Sequence, residues 1–133
     1  MKTRHERRKR DGKPIIPTEA EEQKMLFEWA AYNKVKYPAL DLMYHIPNEA
    51  KRTPWGGYEQ VQMGLRKGVP DICLPVPSGR YTALYIEMKR RKGGRVSDEQ
   101  RGWIAALNRV GCKAVVCRGW EEARREIENY LRI

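Results

Sequence analysis

The sequence predicts an α/β domain, and the order of its apolar segments supports this class. Residues 69–76 and 81–89 are apolar stretches joined by the turn sequence "PSGR", which is typical of a β-hairpin. A helix with apolar residues at helical spacing follows over residues 97–109, and "CKAVVCR" at 112–118 then predicts another strand. A strand reached through a crossing helix favours a parallel neighbour. "WEEARREIENYL" is expected to close the chain as a helix.

The first helix is predicted for residues 18–36. Thr18 and Glu21 have the spacing of a capping box, which marks a helix start. On a helical wheel, Glu19 and Glu22 lie at the rim of the apolar face, whereas Glu21 points away from it. Two carboxylates are therefore expected close to the buried side of this helix.

The segment between the first helix and the hairpin has weaker signals. "MYHIPN" predicts a short strand, "EAKRTPWGG" a loop and "YEQVQMGL" a short helix. Lys51 and Arg52 lie in the loop and either contact phosphate or form a solvated loop.

Length and charge limit the class of protein. A chain of 133 residues has room for one domain, which we place at residues 18–133, after a flexible basic arm at residues 1–17. The net charge of +10 indicates a polyanionic partner, either nucleic acid or an anionic membrane surface. No apolar run reaches the roughly 18 residues of a membrane span and no signal peptide is recognisable, which predicts a cytoplasmic protein. The three cysteines are expected to be reduced.

One group of polar residues interrupts the apolar hairpin. Glu87 and Lys89 are two residues apart and therefore share one face of their strand. Asp71 and Glu87 each lie eight positions from Gly79, so a hairpin that turns at Gly79 sets them opposite each other. The alternative is an ordinary ion pair between Glu87 and Lys89, with Asp71 as a turn residue.

Two ionised carboxylates this close repel each other unless a cation lies between them. Oxygen ligands without histidine or thiolate suit Mg²⁺, with Mn²⁺ as a substitute. Such an ion polarises a scissile phosphate, while Lys89 orients water or neutralises the developing charge. The pattern therefore indicates a phosphodiester hydrolase.

Several motifs resemble one nuclease family. "GVPDICLPV", "LYIEMKR" and "SDEQRGWI", together with "EAEEQ", "IPNEAKR" and "VVCRGWEEARREIENYL", resemble the virus-type replication-repair nuclease (VRR-NUC) domain over residues 18–132. This domain is a branch of the PD-(D/E)xK nucleases. The resemblance implies a restriction-endonuclease-like mixed central sheet flanked by helices. It matches Pro70 and Asp71 to the PD, and Glu87 and Lys89 to the ExK.

The resemblance also assigns further site residues. Gln100 matches a glutamine in the helix after the ExK, although a capping role in that helix is the alternative. Glu19, four residues before Gln23, matches an acid on the first helix, with Glu22 in reserve. The backbone carbonyl of Met88 is implied as a further metal ligand.

The family implies a substrate and an assembly as well. Stand-alone, phage-like members resemble Holliday-junction resolvases, which act on branched DNA as homodimers in repair and recombination, in a bacterial or phage-infected cell. Arg90 and Arg91, directly after the strand, join Lys51 and Arg52 as candidate DNA contacts. The alternative class is a non-catalytic basic nucleic-acid-binding protein, and RNA remains open as a substrate.

Overall fold

The structure, a computed structural model, describes residues 15–48 and 54–133, without the side chains of residues 54–56. The basic arm up to residue 14 and the candidate DNA contacts Lys51 and Arg52 lie outside the described residues. Four α-helices, one 3-10 helix and four strands occur in the described part of the chain: α1 (Glu19–Asn33), the 3-10 helix (Pro38–Leu42), β1 (Tyr44–His45), α2 (Pro54–Gln62), β2 (Ile72–Leu74), β3 (Leu84–Lys89), α3 (Asp98–Arg109), β4 (Lys113–Arg118) and α4 (Trp120–Leu131). The predicted α/β class is confirmed.

The four strands form one mixed sheet in the order β1-β2-β3-β4. β1 and β2 are antiparallel, as are β2 and β3. Lys113 N donates to Ala83 O at 2.8 Å, and Gly119 N donates to Lys89 O at 3.0 Å. Residue numbers thus increase in the same direction along both strands, so β4 is parallel to β3. The helix between β3 and β4 supplies the crossover that a parallel pair needs.

The hairpin has the predicted register but shorter strands than predicted. Ile72 pairs with Ile86, and Leu74 with Leu84, as expected for strands centred on Gly79. The turn itself is closed by two backbone hydrogen bonds of 3.0 Å between Ser78 and Tyr81. The segment 75–77 is one residue longer than 82–83 opposite it, and its two prolines cannot donate to a ladder. Regular pairing therefore stops at Leu74.

Both predicted capping boxes are confirmed. Thr18 Oγ1 accepts from Glu21 N at 3.1 Å, and Ser97 Oγ accepts from Gln100 N at 3.1 Å. The prediction for α2 was wrong at its start, since this helix begins at Pro54 within the expected loop. Proline is favoured in the first helical turn, where its missing N–H has no intrahelical acceptor.

The described residues fall into two compact units. The helix unit comprises residues 15–41, 88–95 and 116–133 and contains α1 and α4. The sheet unit comprises residues 42–87 and 96–115 and contains β1, β2, most of β3, α2 and α3, except that residues 49–53 are not described. Each unit has its own buried apolar residues: Leu26, Ala30, Ala123 and Ile127 in the helix unit, and Ile72, Leu74, Leu84 and Ile86 in the sheet unit.

Burial of these side chains stabilises each unit. A fully buried leucine or isoleucine contributes about 1.5–3 kcal/mol relative to an exposed one. The described cysteines are all free thiols, as predicted. Among the residues that the structure describes, no helix is long and apolar enough to cross a membrane.

Candidate active site

The sheet unit aligns the two carboxylates at the end of the β2–β3 hairpin. Ile72 pairs with Ile86, and extending this register by one residue beyond β2 sets Asp71 opposite Glu87. Opposed residues of an antiparallel pair have Cβ atoms about 4.5–5.5 Å apart on one face. Glu87 is only 3% exposed, whereas Asp71 is partly exposed. A buried carboxylate thus has a second carboxylate at the facing position.

Gln100 caps α3, which was one of the two roles considered for it, and it also contacts Glu87. Its side-chain Oε1 accepts from the backbone N–H of Ser97 at 2.9 Å, which completes the capping box of α3. Its Nε2 donates to Glu87 Oε1 at 2.5 Å. The cap therefore orients the amide whose other end holds the Glu87 carboxylate.

Gly68 allows α3 to approach the segment that leads into Asp71. Its φ is +92°, and a Cβ at this position would lie 2.6 Å from the backbone carbon of Glu99. Two further contacts hold the same junction, because Lys67 pairs with Glu99 at 3.4 Å and Trp103 Nε1 donates to Lys67 O at 3.1 Å. The role of Gly68 was not predicted from the sequence, although a glycine just before the "VPD" run was the available signal.

The backbone of Asp71 is held from the edge strand. Its carbonyl accepts from Ile46 N at 2.7 Å and lies 2.8 Å from His45 Nδ1. Since a carbonyl oxygen can only accept, His45 Nδ1 carries the proton in this contact. His45 thus positions the backbone of Asp71, a role that the sequence did not indicate.

Glu22 has a structural role in the helix unit. Its side chain is fully buried; Oε1 accepts from Arg91 Nε at 2.9 Å and Oε2 accepts from Trp120 N at 2.6 Å. The second contact caps α4, whose N-cap residue Gly119 has no side chain to do so. Both oxygens of Glu22 therefore bind protein groups, which leaves Glu19 as the ligand candidate on α1.

Glu19 and Lys89 both lie against Gly94 in the helix unit. A Cβ on Gly94 would be 3.4 Å from Glu19 Oε1 and 3.8 Å from Lys89 Cδ, and the φ of Gly94 is +69°. Lys89 is 6% exposed. Arg118 holds this loop by donating to Gly93 O at 2.7 Å and Gly94 O at 3.3 Å. The loop after β3 is thereby shaped around the lysine of the predicted ExK.

The predicted metal ligands remain a prediction. Within residues 15–48 and 54–133, no group of three or more His, Cys, Asp or Glu side chains is arranged to hold a metal ion. The described arrangement supplies two facing carboxylates, Asp71 and Glu87, and the adjoining Met88 is buried.

The predicted DNA contacts also remain predictions. Arg90 is partly exposed, and its Nη2 donates to Ile16 O at 3.4 Å. Arg91 pairs with Glu22 and, at 3.4 Å, with Glu121. Arg91 therefore has a structural function in the helix unit besides any contact with DNA.

The described residues thus form a mixed α/β sheet in which the buried Glu87 is followed two residues later by the buried Lys89. The VRR-NUC domain model matches residues 10–121, and the chain belongs to this nuclease family. The match begins inside the predicted arm and ends in the first turn of α4.

A solved structure described as a VRR_NUC domain protein is similar to this chain. The two have 27% sequence identity and a TM-score of 0.77, over 89% of this chain and 91% of the other. No curated protein matches the sequence. The fold similarity thus extends over nearly the whole of both chains.

Proposed function

We propose that this chain is a metal-dependent DNA endonuclease that hydrolyses phosphodiester bonds and selects branched DNA. The observation that carries the proposal is the register of the β2–β3 hairpin, which sets Asp71 opposite the buried Glu87. Membership of a nuclease family supports hydrolysis of nucleic acid. The preference for branched DNA, such as a Holliday junction, and the action as a homodimer rest on the family resemblance.

The residues at the hairpin end fit a hard divalent cation. Facing carboxylates are costly unless a cation or a proton compensates them, and oxygen donors without thiolate or imidazole suit Mg²⁺ or Mn²⁺. Asp71, Glu87 and the Met88 carbonyl would hold the ion, with Glu19 as a further ligand. When bound, such an ion polarises the scissile phosphate and makes water a better nucleophile at neutral pH.

Other residues of the chain would orient the reacting groups and stabilise charge. Lys89, buried beside Gly94, supplies a positive charge that orients water and offsets the charge that develops on the phosphate. Gln100 keeps Glu87 in one orientation through its 2.5 Å hydrogen bond. His45 and Ile46 hold the backbone from which Asp71 extends. Preorganised groups of this kind lower the barrier without reorganisation during the reaction.

The charge of the chain favours a nucleic-acid substrate. A net charge of +10 attracts the phosphate backbone without regard to base sequence. Selection of branched DNA therefore needs shape recognition in addition to charge. RNA is the competing substrate, and a non-catalytic DNA-binding protein is the competing class.

Cleavage of a defined panel of substrates tests the proposal. Labelled linear duplex, flap, splayed-arm and four-way DNA, with an RNA of matched sequence, are incubated with Mg²⁺, with Mn²⁺ or with EDTA. We expect cleavage that needs the metal and is fastest on branched DNA. Asp71→Asn should abolish it and retain binding, whereas Asp41→Asn, at an exposed position paired with Lys34, should cleave like the parent.

Two outcomes would contradict parts of the proposal. Equal cleavage by Asp71→Asn and the parent would remove Asp71 from the site. DNA binding without cleavage of any substrate, in either metal, would favour the non-catalytic class.

A further inference from the structure

A cavity in the sheet unit has the chemistry of an anion site. It has a volume of about 440 Å³ and lies between the hairpin turn and the end of α3. It is lined by Arg80, Tyr81, Asn108, Arg109, Gly111 and Cys112. None of these residues belongs to the candidate active site.

The positive charge around this cavity has no acidic counterpart nearby in the sequence. Residues 72–86 and 100–115, which form the hairpin and the α3–β4 connection, contain no aspartate or glutamate. Arg80 and Arg109 both line the cavity. Like charges gathered in this way repel one another, and a bound anion would relieve the repulsion.

Most of the guanidinium donors at the cavity are available to a ligand. Arg80 Nη2 donates to the Tyr81 hydroxyl at 3.1 Å, which occupies one of its five N–H groups. In the described portion of the chain, the Arg109 guanidinium has no hydrogen-bond or ion-pair partner.

The side-chain amide of Asn108, which lines the cavity, is already hydrogen-bonded to the backbone. The Asn108 amide donates to Ile104 O and Ala114 O, and its oxygen accepts from Ala114 N at 3.0 Å. A ligand would therefore bind through the two arginines.

We propose that this cavity binds a phosphate group and that, given the proposed nuclease function, the ligand is a backbone phosphodiester of the DNA substrate. Planar guanidinium groups match phosphate oxygens with paired hydrogen bonds. Glu87 lies six positions after Tyr81, a span of at most about 20 Å at a strand rise of about 3.3 Å per residue. The phosphates of one strand of a duplex are spaced about 3.4 Å apart along the helix axis, so the contact would lie within about six nucleotides of the cleaved bond.

Salt dependence of DNA binding tests this proposal separately from catalysis. Affinity for four-way and linear DNA is measured in EDTA over a series of salt concentrations for the parent, Arg80→Ala, Arg109→Ala and the double variant. The control is Arg125→Ala, an exposed helical arginine of α4. Each pocket variant should lower the slope of log K against log salt by about 1 and weaken binding roughly tenfold at low salt, whereas the control should change neither.

The result is independent of whether the chain cleaves DNA. Failure of the proposed function would appear as absent cleavage with Mg²⁺, whereas failure of the pocket would appear as equal slopes for Arg109→Ala and Arg125→Ala. Unchanged urea midpoints for all variants would exclude unfolding as the cause of weaker binding.

Cys112 offers a local reporter, because it lines the cavity and is partly exposed, whereas Cys73 and Cys117 are buried. DNA should slow its alkylation in the parent at least several-fold but not in the double arginine variant. Protection by inorganic phosphate together with no effect of DNA would show a site for free phosphate and overturn the assignment to the substrate backbone. No protection by either ligand would overturn the phosphate site itself.

Discussion

Two buried glutamates, one in each unit, differ in how their charge is compensated. Glu22 is fully buried and binds a guanidinium through one oxygen and a helix N-terminal N–H through the other. Glu87 is 3% exposed, accepts from the uncharged amide of Gln100 and faces a second acid across the strand pair. Two equally buried glutamates therefore have different hydrogen-bond partners, a guanidinium and a helix N–H for Glu22 and a neutral amide for Glu87.

The difference separates a structural carboxylate from a candidate catalytic one. A buried charge that meets a cation and a helix dipole is compensated by the folded chain itself. A buried carboxylate beside another carboxylate is compensated best by a cation from outside the protein. Burial alone would have assigned both glutamates to the same role, and only their partners distinguish them.

Exchange of each glutamate for glutamine should give opposite results, and this is the largest expected effect. Glu87→Gln should reduce metal-dependent cleavage by about a thousandfold or more, since several kcal/mol of transition-state stabilisation depend on the bound cation. Its free energy of unfolding should stay level or rise, because repulsion with Asp71 is relieved. Cleavage assays and urea titrations measure the two quantities.

Glu22→Gln should instead lower the free energy of unfolding by about 2–4 kcal/mol, because Arg91 loses its partner and the new amide cannot accept at both contacts. Cleavage per folded molecule should remain near that of the parent. Glu28→Gln, at an exposed position of α1, is the control and should change neither property. Loss of cleavage in stable Glu22→Gln would return Glu22 to the active site.

Substitution of Gly68 in the sheet unit should give the next largest effect, on stability. Gly68→Ala should lower the free energy of unfolding by about 2–4 kcal/mol, since its φ is +92° and the added Cβ would lie 2.6 Å from the Glu99 backbone. Displacement of α3 should also move Gln100 from Glu87 and slow cleavage. Urea titration and substrate cleavage measure these losses.

Gly102→Ala is the matched control within α3. A Cβ there meets nothing within 4 Å among the described atoms, so the exchange should stabilise the helix by about 0.5–1 kcal/mol. Equal stability of the two alanine variants would mean that α3 does not depend on the close approach at Gly68.

The features predicted correctly from the sequence depend on neighbours along the chain. Both capping boxes join residues three positions apart, and the hairpin strands pair in the predicted register, with the extra residue in segment 75–77 offsetting a turn that closes between Ser78 and Tyr81. The roles that were missed depend on distant partners. Glu22 binds Arg91 and Trp120, which are 69 and 98 positions away. A helical wheel places Glu19 and Glu22 on one face but contains no information on which of them meets a cation.

The free energy of unfolding should also depend on pH above 10 through Tyr85, on the hairpin face that carries the carboxylates. This is the smallest of the expected effects. Tyr85 lies two residues before Glu87 on the same face, opposite Cys73. Burial, together with Cys73, raises the pKa of Tyr85 from 10 to about 12. Its proton is therefore held more tightly in the folded chain than in the unfolded chain.

The sign of the pH effect follows from this shift. The contribution of Tyr85 to stability is fully present below pH 10 and is lost as the pH rises from 10 to about 12, because the unfolded chain releases the proton first. Near-ultraviolet absorbance should show one tyrosine ionising at about pH 12, which Tyr85→Phe removes. The phenylalanine variant should also lose less stability than the parent over this interval. Ionisation of Tyr85 near pH 10 would mean that the face beside Glu87 is hydrated. The surroundings of Glu87 would then differ less from those of Glu22 than the structure indicates.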